Sequence, residues 1–242
     1  MNNSTTTATT CIHDSAWITF EDAEVGGVSL EFGDYSTATI SCIKRDPYFS
    51  YWNIHQNATT VNVDWNITFV RSRIGGYGVS INLYKNASVR VRDSEIWFSA
   101  CHDSSKLTFE NTTYVAAQFY QSSSGIIKNS ILHPNSAQPL LLTDNSSVCI
   151  QNSIVDNGIW LDLKLEKNAS VLITDSIVVY ADLHDNSSAE IQNTTIDCLS
   201  CTDQSSVVIT NCPNMYFMKV FRNASVFLQG CTLPKVYAQD SA

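Results

Sequence analysis

Acid–base chemistry needs a histidine or carboxylate held beside a second titratable group, and one stretch of this chain gathers several. Asp182-Leu-His184-Asp185 accompanies Asp162 and Glu166. Such a set can hold a hard cation through several oxygens or bind a carbohydrate. The same residue types also crowd solvated turns, and the next residue, Asn186, opens an Asn-x-Ser triplet whose glycan would crowd any substrate. The cluster therefore reads as a turn surface. The five histidines, His13, His55, His102, His133 and His184, fall singly, none between glycines. Arg73-Ile-Gly-Gly-Tyr-Gly78 is glycine-rich, but a phosphate loop needs Gly-Lys-Ser/Thr opening a helix, and no helical pattern follows. Cys198-Leu-Ser-Cys201 has the spacing of half a zinc site, with no second pair at the usual distance. No Ser/His/Asp or Cys/His set carries a known nucleophile's local signature. The expectation is no catalytic residue, no metal and no cofactor.

A modification chemistry is better represented. Asn-x-Ser/Thr triplets begin at Asn2, Asn3, Asn57, Asn66, Asn86, Asn111, Asn145, Asn168, Asn186, Asn193 and Asn223. These eleven compare with about four expected by chance from 20 Asn and 51 Ser plus Thr, and each is a potential N-glycan acceptor. Eight cysteines, an even number, suit disulfides in an oxidising compartment. Together they predict an extracellular or cell-surface glycoprotein. Its 14 Lys plus Arg against 23 Asp plus Glu, with no basic cluster, exclude the nucleic-acid-binding class. No apolar run approaches the roughly 20 residues of a membrane span. The first ten residues show no signal-peptide pattern.

The elements that position these residues follow from a repeat. Asn86-Ala-Ser-Val-Arg-Val-Arg-Asp-Ser, Asn145-Ser-Ser-Val-Cys-Ile-Gln-Asn-Ser and Asn168-Ala-Ser-Val-Leu-Ile-Thr-Asp-Ser share one consensus: polar turn, apolar-x-apolar-x, Asn or Asp, small residue. The Asn/Asp anchor column reads Asp22, Cys42, Arg71, Asp93, Asn111, Asn129, Asn152, Asp175, Asn193, Asn211 and Gly230. Most gaps are 18–23 residues. Apolar-x-apolar is the period of a half-buried strand, and one such unit cannot bury its apolar face alone. Stacked units can. The fold class expected is all-β, a β-solenoid of about eleven coils. Residues 1–14 form a Ser/Thr-rich segment before it. The solenoid occupies 15–242, with an excursion at about 44–66.

This repeat, over roughly Trp17 to Leu233, resembles the right-handed parallel β-helix proteins of the pectin-lyase-like superfamily. The resemblance is one of architecture. The polygalacturonase-like signatures Asn-Thr-Asp, Asp-Asp, Gly-His-Gly and Arg-Ile-Lys are missing. Members include polysaccharide lyases, phage tailspikes and adhesins, so the resemblance implies a fold and leaves function open.

Two columns carry further expectations. The position after the anchor is small in nearly every coil, and near the C-terminal end it is Cys212 and Cys231, expected to form a disulfide between neighbouring coils. The outward position of the core strand starts Thr19, Thr39, Thr68, a row too short and interrupted for ice binding. It becomes apolar later: Ile126, Cys149, Leu172, Val208 and Phe227, broken by Glu190. A contiguous outward apolar stripe marks an interface, so self-association through Ile126, Leu172, Val208 and Phe227 is expected. The functional expectation is a secreted, N-glycosylated structural or adhesive protein, a subunit of an extracellular filament or coat. The alternative is a polysaccharide-binding or polysaccharide-cleaving β-helix enzyme.

Overall fold

The structure is a computed structural model. It describes residues 82–239 with their side chains, apart from 94–97, 133–139, 157–161 and 233–234; before residue 82 it describes strand backbone only. The chain is an all-β parallel solenoid without a helix among the described residues. Its strands form a 15-stranded and an 11-stranded sheet, and every pairing is between parallel strands of successive coils. About eight turns are described throughout, against the eleven expected. The earlier strands of the 11-stranded sheet, Trp17–Ala23, Thr37–Cys42 and Ile67–Val70, are described as backbone. Two strands fall where none was expected. Thr9–Ile12, within the N-terminal segment, pairs with Ser29–Phe32, and Tyr51–Ile54, within the excursion, pairs with Ser80–Leu83.

An 18-residue coil is built from four pieces. Lys106–Glu110 is a strand of the 11-stranded sheet, Asn111 and Thr112 turn, Thr113–Phe119 is a strand of the other sheet, and Tyr120 to Ser123 turn back. The alternation in Lys106–Glu110 puts Leu107 and Phe109 in the core. In Thr113–Phe119 two consecutive residues, Ala116 and Ala117, are both buried. A strand cannot do that without bending, so the strand rounds a corner there. The 23-residue coils insert their extra residues at this same corner. In them the long strand is split into Ile131–Leu132 and Leu140–Leu142, and again into Ile154–Val155 and Leu163–Leu165. Both halves keep register with the 18-residue coils.

Both turns hold residues with positive φ. The anchor column does so throughout, from Asp93 (φ 50°) through Asn111, Asn129, Asn152, Asp175, Asn193 and Asn211 to Gly230 (φ 66°). Asn and Asp are the side chains that tolerate this region best. Here their amides also bond along the column, Asn152 Nδ2 to Asn129 Oδ1 at 2.7 Å and Asn111 Nδ2 to Asp93 Oδ1 at 3.1 Å. The column ends in Gly230, which adopts the same left-handed conformation without the steric penalty of a side chain.

The small column beside it is a buried hydroxyl ladder. The N–H groups of Thr112, Ser130 and Ser153 each donate at 3.1 Å to the hydroxyl one coil on. Each hydroxyl in turn donates to a carbonyl two residues back, as Ser153 Oγ does to Gln151 at 2.7 Å. Cys212 and Cys231 continue this ladder, which corrects the expected disulfide: both are free thiols. Cys212 N–H donates to Cys231 Sγ at 3.4 Å, and Cys231 Sγ donates to the Gln229 carbonyl at 3.4 Å. The physical reason is direction. Stacked side chains run parallel about 4.8 Å apart, whereas a disulfide draws its Cβ atoms to roughly 3.8 Å. All six cysteines described with side chains are thiols.

Candidate functional site

Of the acidic cluster around His184, the structure brings Asp182 and His184 into contact. Asp162 is fully buried at the corner and accepts the Tyr180 N–H at 2.7 Å. Glu166 pairs with Lys164 at 2.5 Å. Asp185 accepts the Lys167 N–H of the preceding coil at 3.0 Å. Asp182, two residues before His184 on the same side of the chain, reaches its Nε2 at 2.8 Å through Oδ2, while its Oδ1 is buried without a partner.

The third member is Thr202, which the sequence reading did not single out. It follows His184 by one coil, and its Oγ1 lies 2.9 Å from His184 Nδ1. The Thr202 hydroxyl also reaches Asp203 Oδ2 at 3.1 Å, so it sits between the imidazole and a second carboxylate. Asp182, His184 and Thr202 thus form a carboxylate–imidazole–hydroxyl chain at the turn. It opens on a shallow cleft of about 420 Å³ lined by His184, Thr202, Asp203, Phe221, Arg222 and Gln239. Arg222 bonds to Asp203 and so holds that carboxyl below the usual range. Fixed planar polar groups beside an aromatic ring can meet the hydroxyls and the apolar face of a sugar.

Four of the described cysteines are held as thiols. Burial pushes the Cys201 thiol up to about 12, and raises Cys198, Cys101 and Cys212 as well. A raised thiol pKa disfavours the reactive thiolate. No group of three His, Cys, Asp or Glu side chains is placed to hold a metal among the described residues. No helix there is long and apolar enough to cross a membrane. Elsewhere on the same turn column Tyr84, His102 and Tyr120 stack ring on ring at 4.9 Å. Partial burial in that stack lowers the His102 pKa, against the raising effect of Asp103.

The acceptor asparagines fall into two lines. Asn86, Asn145, Asn168, Asn186 and Asn223 follow the positive-φ residues Lys85, Asp144, Lys167, Asp185 and Arg222, and all five are exposed. Asn111 and Asn193 are exposed on the opposite turn. Asn57 and Asn66 lie outside the described residues. The triplet itself has a structural origin: a turn Asn, a buried Ala or Ser such as Ala87 or Ser146, then the first serine of a strand.

The outward column of the 11-stranded sheet is as the alternation predicts. Ile126, Leu172, Val208 and Phe227 are 50%, 37%, 44% and 58% exposed, and strand register places them with Cys149 and Glu190 in one continuous row. A row of strand-opening serines flanks the stripe, and an open hollow of about 530 Å³ runs along it past Ser147, Ser170, Ser188 and Ser206.

No protein-family model, curated protein or solved structure matches this chain.

Proposed function

We propose that the protein is a secreted or cell-surface glycoprotein with a structural or adhesive role, self-associating into a filament or coat. We place its solenoid with the right-handed, pectin-lyase-like β-helices. The observation that carries this reading is the solvent-facing, mostly apolar row from Ile126 to Phe227, about 24 Å long at the inter-strand spacing. A monomer leaves such a row exposed to water at a cost, and a partner surface removes that cost. The exposed acceptor asparagines lie on the turns that border this face on either side. Two measurements on native protein test the reading. Glycopeptide mapping should find sugar on Asn86, Asn223 and at least one of Asn145, Asn168 and Asn186. Sedimentation should find multimers. Unmodified asparagines would remove the extracellular assignment, and a monomer at high concentration would remove the structural one.

A second reading, polysaccharide binding or cleavage, is favoured by the chain of Asp182, His184 and Thr202 beside its cleft. Its expected result is that His184→Ala weakens binding to a panel of plant and bacterial polysaccharides by at least tenfold. Equal binding by wild type and variant, or none by either, ends it.

A further inference from the structure

The outer face of the 11-stranded sheet has the size and charge layout to receive a second copy of itself. Eight of its strands are described with side chains, from Ser88–Arg92 to Ser225–Gln229. At about 4.8 Å between strands and about 3.3 Å per residue, this face measures about 38 by 17 Å. Two such faces bury about 1,300 Å² between them, within the range of specific interfaces.

Charge is unevenly placed on this face. Arg90, Arg92, Lys106, Glu110 and Lys128 occupy its first three described strands, with Arg90 and Arg92 bonded to Glu110 at 2.5 and 3.4 Å. In the other five strands the single charged residue is Glu190, held by Gln192 at 2.6 Å. Two faces related by a two-fold axis can meet with their coils in the same order or in reversed order. The same order sets Glu190 beside the second copy's Glu190 and Arg90 beside its Arg90, and like charges at an interface are costly. Reversed order avoids both.

We propose that two copies pack through this face with their coils antiparallel, about a two-fold axis between the strands Ser147–Gln151 and Ser170–Thr174. This rests on the self-association reading above and specifies its geometry. The strand Ser124–Lys128 then lies opposite the second copy's Ser188–Gln192. Lys128, one column over from Ile126, reaches the second copy's Glu190, and symmetry makes the contact twice. Cys149 faces Leu172, and Thr108 faces Val208. At either end Arg90 approaches the ring of Phe227, a contact cations favour.

The test is a charge swap in the full chain, followed by sedimentation velocity over a concentration series. Lys128→Glu and Glu190→Lys should each raise the dimer Kd at least tenfold, because each sets like charges together twice. The double variant should return to within about threefold of wild type. Both residues are exposed, and an unchanged far-UV spectrum checks the fold. A wild-type dimer that either single variant leaves intact, or that the double variant fails to restore, overturns the antiparallel arrangement alone. A monomeric wild type overturns it together with the self-association reading.

Discussion

Replacing Gly125 with valine is expected to destabilise the protein, although valine is the residue this column carries in most other coils. Val89, Val148, Val171 and Val207 occupy the same inward position and are buried. At Gly125 the space is taken by Phe119, which enters from the opposite sheet and is fully buried. A Cβ on Gly125 would stand 2.6 Å from two ring carbons of Phe119. Overpacking of this kind typically costs about 1–3 kcal/mol. Phe119→Ala empties the same space and is expected to cost about 3–5 kcal/mol. The pair should be strongly non-additive, because Phe119→Leu makes room for a valine. Urea unfolding of Gly125→Val, Phe119→Leu and the double variant checks this. Additive losses would show that the two sites do not share their volume.

The second large effect separates two columns of buried serine. Ser153 Oγ accepts the Ser130 N–H at 3.1 Å and donates to Gln151. Ser153→Val leaves the buried Ser130 N–H unpaired, at about 1–3 kcal/mol, while the Gln151 carbonyl keeps the Asn129 N–H at 3.1 Å. Ser146, equally buried, has a hydroxyl with no hydrogen-bond partner. Its column already holds alanine at Ala87 and Ala169, both buried. Ser146→Ala is therefore expected to be neutral or stabilising, while Ser153→Val lowers the urea midpoint well below wild type. Equal effects at both positions would show that the ladder bonds contribute nothing beyond volume.

These two cases also show what the sequence made legible. The anchor, hydroxyl and apolar columns could be read because they recur at near-constant spacing and each asks for one chemical type. The second positive-φ column could not. It runs Lys85, Asp103, Gln121, Asp144, Lys167, Asp185, Asp203 and Arg222, a mixed series whose shared backbone conformation leaves no shared side chain. Its N–H groups are met from the next coil instead, as Lys85 is by Asp103 Oδ2 at 2.8 Å. The contact of His184 with Thr202 was hidden for a related reason. It depends on register in the 15-stranded sheet, where the corner bend disrupts strict alternation. The disulfide expectation failed because a shared column position does not turn two parallel side chains toward each other.

The corner between Leu132 and Leu140, and again between Val155 and Leu163, absorbs five extra residues in each of two successive coils while the strands on either side stay in register. Within a strand a single inserted residue would turn the inward side chains after it outward, whereas the anchor turn between Thr210 and Met215 takes one extra residue with register kept on both sides. The described chain therefore shows three permissible kinds of length change: whole coils, which leave each column intact, single residues at a turn, and longer additions at this corner. Peptides grafted there would project as a pair from adjacent rungs, a ready position for displaying foreign loops on a rigid rod.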